Sequence, residues 1–319
     1  MKRPTRKFKA DTLQHIYQRT KQGRLIFYRR EDYLFYFTLF SVYAHKYRIK
    51  IAKLCLMVNH THSLVAAESN QLLTEFLEVV TSVFVREYNR DIERSGPLFE
   101  KQFGCASKEG GKKIRSCSLY VDNNPVEKKL CKVAEEYRWN FLAYYDNPYP
   151  FSSPITIRNA SFHLRQAIKL VKSLSKASKS LNYATQRTLF SKLDENEKEQ
   201  LTDYIIQLYN VIDYSLMDNY FGSMDAFLIS AHANTGNEYD MEEYWDKYSY
   251  KLFFKMIEIT DNMGYEGQKR QFFKLTEEEL ARVIQRLYTI TKAPEPLIAM
   301  FLHLDINQVI YLLNYRITR

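Results

Sequence analysis

The chain has 319 residues, room for two or three domains, with 45% hydrophobic and 26% charged residues, the balance of an ordinary soluble globular protein. Only nine glycines are present, and neither a Walker A loop nor a dinucleotide fingerprint occurs, which excludes the common nucleotide-binding classes. A net charge of +9 suits a polyanion such as nucleic acid, and no apolar run approaches bilayer length, so no membrane partner is expected. Four scattered cysteines (Cys55, Cys105, Cys117, Cys131) form no CxxC pair, and the basic start MKRPTRKFKAD lacks the apolar segment of a secretion signal. Both features predict a reduced, cytoplasmic setting.

In chain order, residues 11–27 read as a strand and a turn around Gly23. Residues 31–47 read as a helix with Glu31 and Asp32 in its first turn. Residues 48–57 alternate as a strand, Asn59 suits a turn, and 60–67 reads as the paired strand. An amphipathic helix over 70–91, with Asn70 as N-cap, ends before the break Ser95-Gly96-Pro97. A fourth strand is expected near 99–107 and a helix over 112–122, ending before Pro125. This order predicts an α+β chain that opens with a ferredoxin-like split βαβ domain, an antiparallel sheet with helices on one face, over residues 1–148. The Pro/Asn/Ser-rich segment 146–154 marks a boundary. An all-α region should follow, with helices over 158–177, 180–191, 194–219, 223–234 and 240–260 forming a helical domain (149–262) without a legible role. A linker over 261–270 leads to a small helical domain (263–319): a helix over 276–291 behind a Thr276 to Glu279 capping box, then two short segments, 295–303 and 306–317.

His60 and His62 lie two residues apart on a strand, so both leave the same face. Two imidazoles held that way are half of a divalent-metal site. The segment is also one of five ordered motifs. Leu13-Gln14-His15-Ile16-Tyr17-Gln18-Arg19, Met57-Val58-Asn59-His60-Thr61-His62, Tyr88-Asn89-Arg90 with Gly96-Pro97-Leu98-Phe99, Tyr120-Val121-Asp122-Asn123-Asn124-Pro125-Val126, and Tyr137-Arg138-Trp139 occur in that order. Over roughly residues 11–145 the chain thereby resembles the single-tyrosine HUH transposases, in particular their REP-associated branch. It departs from the family pattern at Val58 (commonly Pro), Thr61 (commonly hydrophobic), Asp122 (commonly His) and Gln102 (commonly Arg).

The resemblance implies a metal-dependent enzyme that cleaves and rejoins single-stranded DNA through a 5′-phosphotyrosine, with Tyr120 as nucleophile and His60 and His62 as metal ligands. It also implies a bacterial, nucleoid-associated protein that acts on single-stranded or hairpin DNA as a monomer or homodimer. A third ligand should come from the tyrosine helix, where position i+4 shares a face with Tyr120 and points to Asn124; Asp122 is the second candidate. Such a set accepts Mg²⁺ or Mn²⁺, with the nitrogen ligands favouring Mn²⁺. Basic residues near the motifs are candidate DNA contacts: Arg3, Arg6 and Lys7 in the N-terminal arm, Arg19, Lys21 and Arg24 around the first turn, and Lys112, Lys113 and Arg115 before Tyr120. The alternative for each is a solvated basic surface. The last two segments resemble a helix-turn-helix, turning at His303 to Asp305 and presenting Asn307, Gln308 and Arg316; a plain helical bundle is the alternative. A domesticated, non-catalytic DNA-binding protein with the same fold is the rival to the enzyme.

Overall fold

The computed structural model describes residues 8–10, 12–100, 103–233, 250–265 and 271–317. Strand β1 (Leu13–Arg19) alternates, so Leu13, His15, Tyr17 and Arg19 share one face, and Gln14, Ile16 and Gln18 the other. Helix α1 (Arg30–Lys46) is started by buried Asp32, whose carboxylate accepts the backbone N–H groups of Tyr28 (2.9 Å) and Arg29 (3.0 Å). Strands β2 (Lys50–Met57) and β3 (His60–Ala66) are joined through the two residues Val58 and Asn59. Helix α2 (Asn70–Asp91) is capped by Ser69, whose hydroxyl accepts from Leu72 N–H at 3.2 Å; the cap therefore falls one residue before the expected Asn70. Strand β4 (Gly104–Lys108) and helix α3 (Gly111–Glu127) complete the domain. The expected strand over 99–107 is shorter, because Phe99 makes only an isolated bridge to Thr20 and regular pairing begins at Gly104.

The four strands pair antiparallel in the order β2-β3-β1-β4, the ferredoxin-like split βαβ arrangement. The sheet is covered on both faces, not one. Ile16, Leu54, Leu56 and Val65 share a core with α1 and α2, whereas Leu13, Cys55, Met57 and Leu64 share one with Ile114, Cys117 and Tyr120 of α3. Helix α3 also runs past its expected end, with Pro125 inside it. Pro125 sits in the last turn, where the helix continues for only two more residues, and Lys128 N–H still closes on Asn124 C=O at 3.1 Å.

Helices α4 (Phe162–Lys176), α5 (Tyr183–Phe190) and α6 (Glu195–Tyr209) extend the α1/α2 core. The helix expected over 194–219 stops at Tyr209. Asn210 turns extended, its side chain accepts Ile212 N–H at 3.0 Å, and Asp213 N–H reaches Ile51 C=O at 2.8 Å. Helices α7 (Asp218–Phe221) and α8 (Met224–Ala233) follow. Of the helix expected over 240–260, residues 240–249 lie outside the described residues, and α9 spans Lys251–Thr260. Half of the expected linker, 266–270, lies outside them too. Helices α9, α10 (Glu277–Thr291), α11 (Glu295–Leu302) and α12 (Ile306–Leu313) join the core on the α3 side. Thr276 and Glu279 form the expected capping box of α10. Among the described residues, no single helix is long and apolar enough to cross a membrane.

Candidate active site

Strand alternation puts His60 and His62 on the face beneath α3, opposite Met57 and Cys55 of β2 and opposite Arg19 and Tyr17 of β1. Their ring centroids are 4.8 Å apart at 84°. Each imidazole is held through Nδ1. His60 Nδ1 lies 2.8 Å from Asn59 Oδ1, and His62 Nδ1 lies 3.1 Å from His15 Nε2. Asn59 is fixed in turn: its Nδ2 donates to the Gly23 carbonyl (3.0 Å), and its Oδ1 also accepts the Tyr250 hydroxyl (2.8 Å). An amide oxygen only accepts, so the proton of neutral His60 sits on Nδ1 and Nε2 keeps its lone pair. The tautomer in which His62 Nδ1 donates to His15 leaves His62 Nε2 in the same state. Orientation of a ligating imidazole through its other nitrogen is the usual outer shell of a metal site.

Tyr120 comes to this pair from the middle of α3. Its ring stands edge-on to His62 (5.3 Å, 82°) and to His15 (5.9 Å, 84°), and it is 2% exposed. Asn124, one turn on, is 1% exposed, and neither its amide oxygen nor its nitrogen has a hydrogen-bond partner among the described residues. A buried amide left so costs about 1–3 kcal/mol, which a bound cation would recover at the oxygen. No group of three His, Cys, Asp or Glu side chains suited to a metal occurs among the described residues, and Asn124 is a neutral oxygen donor on the helix that carries Tyr120. The donor set fits a divalent cation on these grounds.

Asp122 is engaged elsewhere. Its carboxylate pairs with Lys53 Nζ at 2.6 Å, both groups are buried, and the Lys53 ammonium stands 3.9 Å from the Phe227 ring centroid. Burial pushes the Asp122 carboxyl up, and Lys53 opposes that only in part. The buried Cys117 thiol, between Gly111 and Tyr120 on α3, is likewise pushed up to about 12 by burial.

The expected DNA contacts divide. Arg3, Arg6 and Lys7, and the Gln102 departure, lie outside the described residues. Arg19 is half-buried on the histidine face, with its guanidinium 5.0 Å from the Tyr17 ring centroid. Lys21, Lys112, Lys113 and Arg115 are exposed, and Arg115 donates to the Tyr220 carbonyl at 3.4 Å. Arg24 lines a cavity described below. Helices α11 and α12 meet at 111°, with His303 in the left-handed conformation at the corner and Asp305 capping α12 through Asn307 N–H (2.8 Å). Asn307, Gln308 and Arg316 are exposed there. Sequence reasoning missed the partners of the site: His15, Lys53 and Tyr250. Alternation placed His15 on the face of Tyr17 and Arg19, which is a usable signal. Nothing local marks Tyr250, which reaches Asn59 across 191 positions.

Residues 9–124, about a third of the chain, match the family model described as Transposase IS200 like. A solved structure of a REP-associated tyrosine transposase bound to a REP hairpin is similar at 12% identity and a TM-score of 0.39, over 45% of this chain and 84% of that one. None of the curated proteins matches in sequence.

Proposed function

We propose that this protein cleaves and rejoins single-stranded DNA through a covalent 5′-phosphotyrosine on Tyr120. The observation that carries the reading is the convergence, under one helix, of a tyrosine edge-on to a Nδ1-anchored histidine pair and an amide one turn away with no partner. His60 and His62 through Nε2, and Asn124 through Oδ1, would hold Mg²⁺ or Mn²⁺. When bound, that cation would neutralise charge on the scissile phosphate and favour attack by an anionic or partly deprotonated phenol. The chain's own residues do the rest. Tyr120 Oη forms a bond to phosphorus as the P–O3′ bond breaks; the 5′ side stays on the tyrosine, and the phenolic proton is balanced by protonation of the departing O3′. The 3′-hydroxyl attacks in reverse to rejoin the strand, so no nucleotide is consumed. His15 and Asn59 hold the histidines, and Lys53 neutralises Asp122 so that it does not repel the phosphate. Arg19, opposite His60 on β1, would contact a DNA phosphate.

Tyr120 and the histidines are buried in the described conformation, so a strand reaches them only if α3 or the Tyr250 contact gives way. That burial is also what would favour the second reading, a DNA-binding protein that no longer cuts. Incubation of the full chain with labelled single-stranded hairpin oligonucleotides and Mn²⁺ separates the two. A protein–DNA adduct that survives denaturation and is lost in Tyr120→Phe supports cleavage; binding without an adduct supports the second reading.

A further inference from the structure

A second candidate site sits between the first turn, the end of α2 and the C-terminal helices. There a cavity of about 250 Å³ is lined by Arg24 and Arg94 together with Tyr28, Phe272, Phe273 and His303. We propose that this cavity grips one nucleotide of a DNA single strand, its phosphate against Arg24 and Arg94 and its base against the aromatic wall. The inference rests on the reading that the partner is DNA, but not on cleavage.

Charge is the first argument. Arg24 Nε is buried without a hydrogen-bond partner, and among the described residues no carboxylate pairs with Arg24 or Arg94. Arg94 gives its donors to neutral oxygens: Asn89 Oδ1 (2.9 Å), Gly96 C=O (3.3 Å) and Pro97 C=O (3.2 Å). Its charge is disfavoured chiefly by burial, and Arg24 adds like-charge repulsion. Glu93, the one acid lining the cavity, is paired with Lys274 Nζ at 2.5 Å. Two guanidiniums lining one space, neither paired with a carboxylate of its own, favour an anion there. The walls are the second argument. Phe273 is 49% exposed at the mouth, and aromatic side chains beside basic ones are how single strands are held. Size is the third: the volume lies just below the roughly 300–1,000 Å³ of drug-sized sites, so it suits one unpaired base with its phosphate and excludes a duplex. Position is the fourth. Arg24 follows Gly23, whose carbonyl anchors Asn59 and through it His60, so the cavity wall and the histidine pair are linked through one turn.

The test is fluorescence anisotropy with a labelled single-stranded oligonucleotide and the full chain at several salt concentrations. Arg24→Gln and Phe273→Ala are compared with Lys169→Gln, an exposed charge change on α4. Arg24→Gln should weaken binding about tenfold and lower the slope of log affinity against log salt by about 0.7, the single-strand value for one phosphate. Phe273→Ala, at the surface, should weaken binding about five- to tenfold without changing the slope, and serves if Arg24→Gln does not fold. Binding by both variants equal to that of Lys169→Gln overturns the site. A wild-type chain that binds no oligonucleotide overturns both the site and the DNA reading. Binding with the expected losses but no covalent adduct leaves the site standing and removes only the cleavage chemistry.

Discussion

His62 owes its orientation to another histidine and His60 to an amide, so the two ligand candidates respond differently to substitution. His15→Phe removes the 3.1 Å contact to His62 but keeps an aromatic ring in its place. Titration of the full chain with Mn²⁺, followed calorimetrically, should show affinity lower by about 10–100-fold. Tyr120→Phe, which leaves all three proposed donors, should bind Mn²⁺ like the wild type. Equal affinity in His15→Phe would place the cation elsewhere. The Lys53–Asp122 pair predicts a stability effect. Lys53→Met strands a fully buried carboxyl and should cost about 3–5 kcal/mol in urea unfolding, most of it recovered in Lys53→Met/Asp122→Leu. The sign with pH follows from the raised Asp122 value. A carboxyl whose folded value lies above its unfolded one binds more protons when folded, so its contribution is complete below pH ~4 and is lost as pH rises through the folded value. Lys53→Met should therefore lose stability more steeply than wild type as pH rises above the ordinary carboxylate range. The histidines and Tyr120 were legible because each is carried by a short local pattern. Lys53 and Tyr250 were not, because their partners lie 69 and 191 positions away and no pattern in the sequence joins them.

Helix α3 is the element on which the site turns. Its regular course through Pro125 keeps Asn124 one turn from Tyr120, the arrangement that i+4 spacing predicts. Reading a helix end before Pro125 misjudged how late in the helix that residue falls. Strand β4 holds the opposite edge by a close approach. A Cβ on Gly104 would lie 1.9 Å from the Tyr17 ring, so the ring lies flat across the glycine. Gly104→Ala should lower stability by about 1–3 kcal/mol in thermal unfolding, and Gly104→Ala/Tyr17→Ala should be less than additive because the first clash then has no partner. Additive losses would mean that the ring does not occupy that space. Most other element boundaries follow from caps that the sequence spells out, as at Thr276 to Glu279 and Asp305.

At the scale of the molecule, the sheet order was readable from strand–helix alternation, but the second helical layer was not. Leu13, Cys55, Met57 and Leu64 gave the histidine face an apolar side that needed cover; α3 supplies part of it, and the rest comes from helices far along the chain that no local pattern announces. Tyr120 belongs to the same core as that layer, which also supplies Tyr250 to Asn59. Cleavage at this site thus asks for two things at once, a chemistry held by β3 and α3 and an opening on the side where the C-terminal helices pack. The most direct measurement is denaturing electrophoresis of the full chain after incubation with a 3′-labelled single-stranded hairpin oligonucleotide and Mn²⁺. The account predicts a covalent adduct carrying the 5′-phosphate side, absent in Tyr120→Phe and in His60→Ala/His62→Ala. An adduct that persists in Tyr120→Phe, or oligonucleotide binding that never yields an adduct with the wild-type chain, would contradict it.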